Sequence, residues 1–163
     1  MAWQNEMTNI VRNLVNDIDA TLYTDSRVEQ VILVAAQLLI NKTEFPNDYT
    51  IDVDLLSLSP DPTTTSPKDN DFINLVSIQA AVIILKGEAK TLAAQAYKIT
   101  DGPSSIDISA AYKAIQEQAK EMQNILDASV MDYTAGNSVG ACVILTPYTY
   151  ASNYRGYYNN YER

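Results

Sequence analysis

The chain has 163 residues and a mass of 18.0 kDa, and its 20 Asp and Glu against 11 Lys and Arg give a net charge of −9. This length favours one domain with a sizeable hydrophobic core, and the 47% apolar content is typical of a folded protein. With no histidine and a single cysteine, Cys142, the sequence excludes histidine catalysis, histidine-ligated metals and an internal disulfide, and its acidity argues against a protein that grips nucleic acid through phosphates.

The first predicted element is an amphipathic helix. Apolar residues from Trp3 to Ile18 recur at the three- and four-residue spacing of one helical face. Polar residues, among them Arg12 and Asp17, fill the other side. The pattern therefore predicts a helix with Trp3 in packing contacts and Arg12 and Asp17 towards solvent.

A second helix follows a break at residues 19–25. The sequence Ser-Arg-Val-Glu at 26–29 matches a capping box, and the helix is predicted to end near Lys42. Its run 31–36 is apolar on nearly every side. This helix is predicted to be buried on more than one face, by its own fold or by a neighbouring molecule.

The spacing then changes to that of a strand. Apolar and polar residues alternate over 49–55, which predicts a half-buried strand. The strand runs into a Pro- and Thr-rich segment, 59–67, that is predicted to be an exposed loop because its prolines prevent regular structure. These prolines are candidate contact residues for a partner: Pro60, Pro62 and Pro67.

Two further helices are predicted before the composition changes. The third begins at the acidic residues 69–71 and ends at the Thr-Asp-Gly-Pro turn, 100–103. The fourth is capped by Asp107 or Ser109, and the helical part is predicted to end by Asp127.

The last segment, residues 128–163, differs from the rest of the chain. It holds seven of the 11 tyrosines and its four formal charges cancel, so the whole −9 falls on residues 1–127. Residues 139–145 predict a strand, and the remainder lacks the aliphatic residues of a core. We interpret the chain as a helical domain, 1–127, and a Tyr-rich arm, 128–163, which either docks on a neighbouring surface or is a disordered tail. The candidate contact tyrosines are Tyr148, Tyr150, Tyr154, Tyr157, Tyr158 and Tyr161.

Together these elements predict a mainly α fold, a four-helix bundle with a small inserted β-strand or hairpin and an extended C-terminal arm. The N-terminus lacks the basic flank and apolar core of a signal peptide. The longest apolar run, 31–40, is far shorter than the ~20 residues of a bilayer span. The sequence therefore predicts a soluble protein made in a cytosol, without a membrane partner.

The residues that carry chemistry have stronger structural interpretations. Asp52 and Asp54 are predicted on one face of the strand, but the glycine and closing glutamate of a calcium loop are missing, so a solvated strand is favoured. Asp61 is interpreted as a loop acid. Cys142 lies among Val, Ile and Leu without a base to activate it, which favours a packing role. No glycine-rich phosphate loop or serine nucleophile motif is present.

The order of these elements resembles the head–tail connector proteins, also called neck or adaptor proteins, of tailed bacteriophages. The similar motifs are Tyr-Thr-Ile-Asp-Val at 49–53, Leu-Ser-Pro-Asp-Pro at 58–62, Asp-Phe-Ile-Asn-Leu-Val at 71–76 before a long Ala-rich helix, and Asp-Gly-Pro-Ser-Ser-Ile-Asp at 101–107. The resemblance covers roughly residues 20–127, and the Tyr-rich arm departs from it.

The resemblance implies a structural protein of the virion neck, made in the bacterial host cytoplasm, with no catalytic residue and no cofactor. Copies would form a homo-oligomeric ring, a dodecamer, between the portal protein and the next neck or tail component. Double-stranded DNA would pass through without specific binding, because an acidic body does not attract phosphates. Apolar residues of the second and third helices would supply the subunit contacts, and the proline loop and the arm would reach the other neck proteins.

Other functions stay open at this point. Within the same class, the alternative is a tail-terminator or head-completion protein. From another class, it is a small helical regulatory or binding protein with a disordered tail, and an enzyme that uses Asp52, Asp54 or Asp61 is favoured least. Size separates these classes, because a ring has a mass far above 18 kDa whereas a regulator is a monomer or dimer.

Overall fold

The computed structural model describes residues 2–95, 98–101, 104–107 and 109–137. Its four helices are α1 (Ala2–Val15), α2 (Asp25–Ile40), α3 (Asn70–Gln95) and α4 (Ser109–Asn137). Two antiparallel hairpins pair β1 (Thr50–Asp52) with β2 (Ser57–Ser59), and β3 (Lys98–Asp101) with β4 (Ser104–Asp107). The predicted mainly α fold with an inserted hairpin is confirmed, and the predicted strand at 139–145 lies outside the described residues.

Helix α3 is the centre of the fold and contacts each of the other three helices. Its buried side chains include Phe72, Ile73, Val76 and Val82. By length and composition, Asn70–Ala94 is the one helix of the described chain that would also reach across a membrane, but 67% of its apolar window is buried inside the fold. Its apolar composition is therefore explained by its place in the core.

Asp69 fixes the start of α3, where the acidic residues predicted it. Its Oδ1 accepts the backbone N–H of Phe72 at 3.0 Å, which is the hydrogen bond of an N-cap side chain. Its Oδ2 accepts the Tyr49 hydroxyl at 2.7 Å and the Asn47 side-chain amide at 3.2 Å. This buried carboxylate therefore holds the segment before β1 against the first turn of α3.

Replacing Asp69 by alanine is expected to lower the free energy of unfolding by about 2 kcal/mol, because the cap is lost and the half-buried Tyr49 and Asn47 lose their acceptor. Asp69→Asn keeps one oxygen acceptor and is expected to cost clearly less. Urea unfolding followed by circular dichroism measures both losses. Equal losses in the two variants would contradict the capping role of the oxygen.

Helix α2 begins slightly earlier than its sequence predicts. The predicted capping box at 26–29 is wrong, because Thr24 is the N-cap residue and Ser26 lies inside the helix. The Thr24 carbonyl accepts the N–H groups of Arg27 and Val28 at 3.0 and 3.1 Å, so the first turn closes on Thr24. Helix α2 therefore begins at Asp25, before the start that a Ser26 cap implies.

The predicted strand at 49–55 is shorter in the structure, where β1 ends at Asp52 and pairs with β2 in a hairpin. In its register Thr50 pairs with Ser59, Ile51 with Leu58 and Asp52 with Ser57. The chain turns after β1 because the Asp52 Oδ1 accepts the N–H groups of Asp54 and Leu55 at 3.0 and 2.9 Å. Leu55, predicted on the buried face of the strand, is therefore 78% exposed in the turn.

The C-terminal half of the described chain differs from the prediction in two places. Part of the predicted turn forms the β3–β4 hairpin, in which Ile99 pairs with Ile106. The predicted end of the helical part at Asp127 is wrong, because α4 continues to Asn137. Residues 128–137 contain no proline to stop the helix, and two of them, Val130 and Tyr133, pack against the core. The helical part therefore extends into the segment assigned to the arm.

An aromatic cluster packs the end of α4 against the start of α3. The Phe72 ring stacks on Tyr49, with ring centroids 3.9 Å apart, and meets Phe45 edge-on at 5.0 Å. Phe45 in turn contacts Tyr133 of α4 at 5.5 Å. Aromatic pairs in these geometries add to the energy of burial, so the cluster holds three parts of the chain together.

Candidate functional site

Of the predicted contact prolines, two lie at the surface. Pro60 and Pro67 are exposed. Pro62 is fully buried, and its carbonyl accepts the backbone N–H of Asp69 at 3.1 Å, so it belongs to the interior of the fold. The predicted contact tyrosines, from Tyr148 to Tyr161, lie outside the described residues, as does Cys142.

Two of the three carboxylates considered for catalysis, those of Asp52 and Asp61, bind the backbone of their own chain. Asp54 lies in the hairpin turn that Asp52 orders, so their predicted arrangement on one strand face is wrong. The Asp61 Oδ1 accepts the N–H and hydroxyl of Thr63 at 3.0 and 2.6 Å, and its Oδ2 accepts the N–H of Trp3 at 3.3 Å. Asp61 therefore ties the proline loop to the start of α1, and Trp3 is buried as its predicted packing role requires.

The loop between α1 and α2 is built around a buried ion pair. Arg12 and Asp17, predicted on the solvent side of α1, are 6% and 4% exposed, and the Arg12 Nη1 lies 2.8 Å from the Asp17 Oδ2. The carboxylate also accepts three backbone N–H groups, those of Thr21, Leu22 and Tyr23, at 3.0, 3.0 and 3.1 Å. The prediction of exposure is wrong because the loop folds back over both charges and satisfies them.

The same contacts give this loop a dependence on pH. The N–H of Leu22 is the largest cause that lowers the pKa of Asp17 from its ordinary value of 3.8, and burial acts in the opposite direction. The contribution of the ionised carboxylate to stability is therefore present above the unfolded pKa and is lost as the pH falls through the lower folded value.

Asp17→Asn is accordingly expected to destabilise the chain at neutral pH, since the negative partner of Arg12 is lost. The difference from wild type is expected to shrink as the pH falls below 3.8, where the carboxyl of the unfolded chain takes up a proton, and to level off once the folded carboxyl is protonated as well. Urea midpoints of both proteins over a pH series measure this. A difference that stays constant into acid would contradict the role of the charge.

The ordered loop presents two large apolar side chains to solvent. Ile18 and Leu22 are 65% and 66% exposed, so the predicted place of Ile18 on the buried face of α1 is wrong. The helix ends first, and Asn16 and Ala20 adopt left-handed backbone conformations with φ of 60° and 54°. This conformation is unfavourable for residues other than glycine, so it depends on the contacts of the loop. Residues 18–22 are called the knob below.

Helix α2 carries an apolar stripe that its own fold covers only in part. Val31, Val34 and Leu38, called the α2 stripe below, recur at i, i+3 and i+7 and so lie along one side of the helix. Val34 and Leu38 are 38% and 47% exposed. The other exposed residues between positions 30 and 41 carry no formal charge: Gln30, Gln37 and Asn41. The fold of the chain therefore buries only part of the apolar run 31–36.

A groove of about 290 Å³ opens between α2 and α3 at the first residue of this stripe. Its apolar lining is Val31 from α2 with Ile83 and Ile84 from α3. Gly87 also lines it, and a Cβ added at Gly87 would have no heavy atom within 4 Å. A side chain at position 87 would therefore extend into open space at the groove.

The rim of the groove is polar and contains one basic and one acidic side chain. Arg27 and Glu88 line it together with Tyr23, whose hydroxyl donates to the Glu88 Oε1 at 2.7 Å. Burial and this hydrogen bond raise the pKa of Tyr23 well above its ordinary value, so its hydroxyl keeps the donated proton over the physiological range. The groove is therefore an apolar cleft with a fixed polar edge.

A second cavity, of about 430 Å³, lies between the start of α3 and the end of α4. Asp71 and Asp132 bring two carboxylates to it, beside Ser129 and Tyr133. In the described ranges no three Cys, Asp or Glu side chains are grouped to hold a metal ion. Two carboxylates at an open cavity do not define a ligand, so no site is assigned there.

The helical spacing of α1 did not predict the knob, although a local signal marks it. Asn16 and Asp17 follow the last apolar turn of α1, and these residue types favour loops and left-handed conformations. Ending the helix there would have placed Ile18 in the loop. The groove has no such signal, because Val31 and Ile83 come from distant parts of the chain.

The comparisons with known proteins do not add a function to these surfaces. Models of known protein families, curated proteins and solved structures gave no match to the chain. The function is therefore inferred from the residues themselves, and above all from the exposed apolar residues of α2 and the knob.

Proposed function

We propose that the chain is a structural protein of the neck of a tailed phage, in which copies form a ring that joins the portal and head to the tail. The observation that carries the proposal is the α2 stripe, an uncharged surface with exposed apolar side chains on a chain of net charge −9. Loss of charged residues and exposure of apolar ones are typical of the centre of a protein–protein interface. This surface supports a protein that works by assembling.

A ring requires contacts that repeat from one copy to the next. Identical subunits joined through two different surfaces close into a ring when the rotation between neighbours permits it. The α2 stripe and the knob are two apolar surfaces on different elements of this fold, as such a contact requires. They support the proposed homo-oligomer, for which the resemblance implies a dodecamer.

The charge of the helical body suits the passage of DNA. Residues 1–127 carry the whole −9, and a channel lined by such subunits repels the phosphate backbone. Double-stranded DNA would therefore pass without being held. We assign the contacts with the portal and the next neck or tail component to the exposed Pro60 and Pro67 and to the Tyr-rich arm.

Sedimentation of the full chain, alone and mixed with portal rings of the same phage, tests this proposal. In the mixture we expect the chain to sediment with the portal at a mass many times 18.0 kDa. Leu38→Asp is expected to prevent this, because burying an unpaired carboxylate in the contact is costly. Ile125→Asp on α4 is the matched control, since Ile125 is 46% exposed against 47% for Leu38, and it is expected to assemble.

Two results would contradict the proposal. One is a chain that stays at one or two copies per particle and sediments apart from the portal rings. That outcome would favour a small helical regulatory or binding protein instead. The other is equal assembly of wild type and Leu38→Asp, which would remove the α2 stripe as its support.

A further inference from the structure

The knob is an exposed apolar loop and the groove is an apolar cleft on the same chain. The knob projects Ile18 and Leu22 from a loop that the buried Asp17 holds in place. The groove is an apolar cleft, and the space beside Gly87 is open. Because Ile18 and Leu22 are about two-thirds exposed in the folded chain, they do not fill the groove of their own copy.

The charges beside these surfaces are complementary as well. Asp19 is exposed on the knob, and Arg27 is exposed on the rim of the groove. In the described part of the chain, neither belongs to one of the three ion pairs. One surface therefore offers an anion beside aliphatic side chains, and the other offers a cation beside an apolar cleft.

We propose that the knob of one copy inserts into the groove of a second copy, with Leu22 and Ile18 against the apolar lining and Asp19 paired with the neighbour's Arg27. The occupant is a second copy because this chain carries both halves of the contact. The α2 stripe begins in the groove at Val31, so the same contact extends along α2 and covers its exposed residues. The inference deepens the proposed ring and rests on it for the identity of the partner.

Filling the groove tests the contact without removing a core residue. Gly87→Leu places a side chain in the open space, and we expect it to weaken self-association at least about tenfold. Thermal unfolding should occur no lower than in wild type, because glycine is unfavourable inside a helix. Gly136→Leu is the matched control, since Gly136 on α4 also faces open space, and it should associate as wild type does.

A charge exchange tests the pairing itself. Asp19→Arg and Arg27→Asp each bring like charges together across the contact, and each is expected to weaken association about tenfold. The double variant restores opposite charges and is expected to recover it. An equimolar mixture of the two single variants should recover it too. Sedimentation equilibrium of the full chain, at concentrations up to about 1 mM, measures all of these.

The outcomes separate this contact from the proposed ring. A wild-type chain that stays monomeric to about 1 mM would overturn the contact. Association of Gly87→Leu and of the single charge variants at wild-type strength would overturn it as well. If those variants still form a large assembly, the proposed ring is retained without this contact. Recovery in the double variant within a particle of only two copies would establish the contact and overturn the ring.

Discussion

Replacing Arg12 by methionine is expected to lower the free energy of unfolding by about 3 kcal/mol. Methionine keeps an unbranched apolar side chain but removes the guanidinium, which donates to Asp17, Asp25 and the Tyr23 carbonyl. The Asp17 carboxylate is then left buried without its cation, and the knob loses the contact that joins it to α1. Chemical unfolding in urea measures the loss.

Lys68→Met is the matched control for this prediction. The Lys68–Glu6 ion pair links two side chains that are 38% and 39% exposed, so solvent screens their attraction. Its loss is expected to cost less than about 1 kcal/mol. If both variants were destabilised equally, the buried network around Arg12 would not be what holds the loop.

Phe72→Ala is expected to cost about 4 kcal/mol of the free energy of unfolding. Phe72 is fully buried in the first turn of α3, and its ring contacts both Tyr49 and Phe45. The truncation leaves a cavity where the segment before β1, α3 and the end of α4 are joined, and that cavity adds to the lost burial. The urea midpoint at an unchanged m-value reports this loss directly.

Leu55→Ala provides the comparison, because Leu55 is also large and apolar but is 78% exposed in the hairpin turn. Its replacement is expected to change the free energy of unfolding by less than about 0.5 kcal/mol. A loss below about 1 kcal/mol for Phe72→Ala would show that the aromatic cluster does not join these elements.

The helices could be predicted where their apolar spacing decides burial. This holds for α2 and α3, whose buried apolar residues repeat at the helical period. The end of α4 could not be predicted in this way. Residues 128–137 are mostly small or polar, and the helix there depends on Val130 and Tyr133 reaching the core. Such packing between distant segments leaves little local trace in a sequence.

The candidate surfaces were predicted less well than the helices. Helical spacing alone places Arg12 and Asp17 towards solvent, and only the return of the loop over them makes a buried pair. The groove depends on Val31 and Ile83 meeting across two helices. What could be predicted was that α2 has more apolar surface than one buried face requires, and Val34 and Leu38 are where that excess is exposed.

Averaged electron microscopy of phage particles from the source of the chain tests the central claim most directly. The account predicts a ring of density at the head–tail vertex in which the α2 stripes of adjacent copies are covered. It also predicts density for the part of the Tyr-rich arm beyond α4, residues 138–163, on a neighbouring protein. Particles that lack the chain, together with a free chain of one or two copies, would contradict the account.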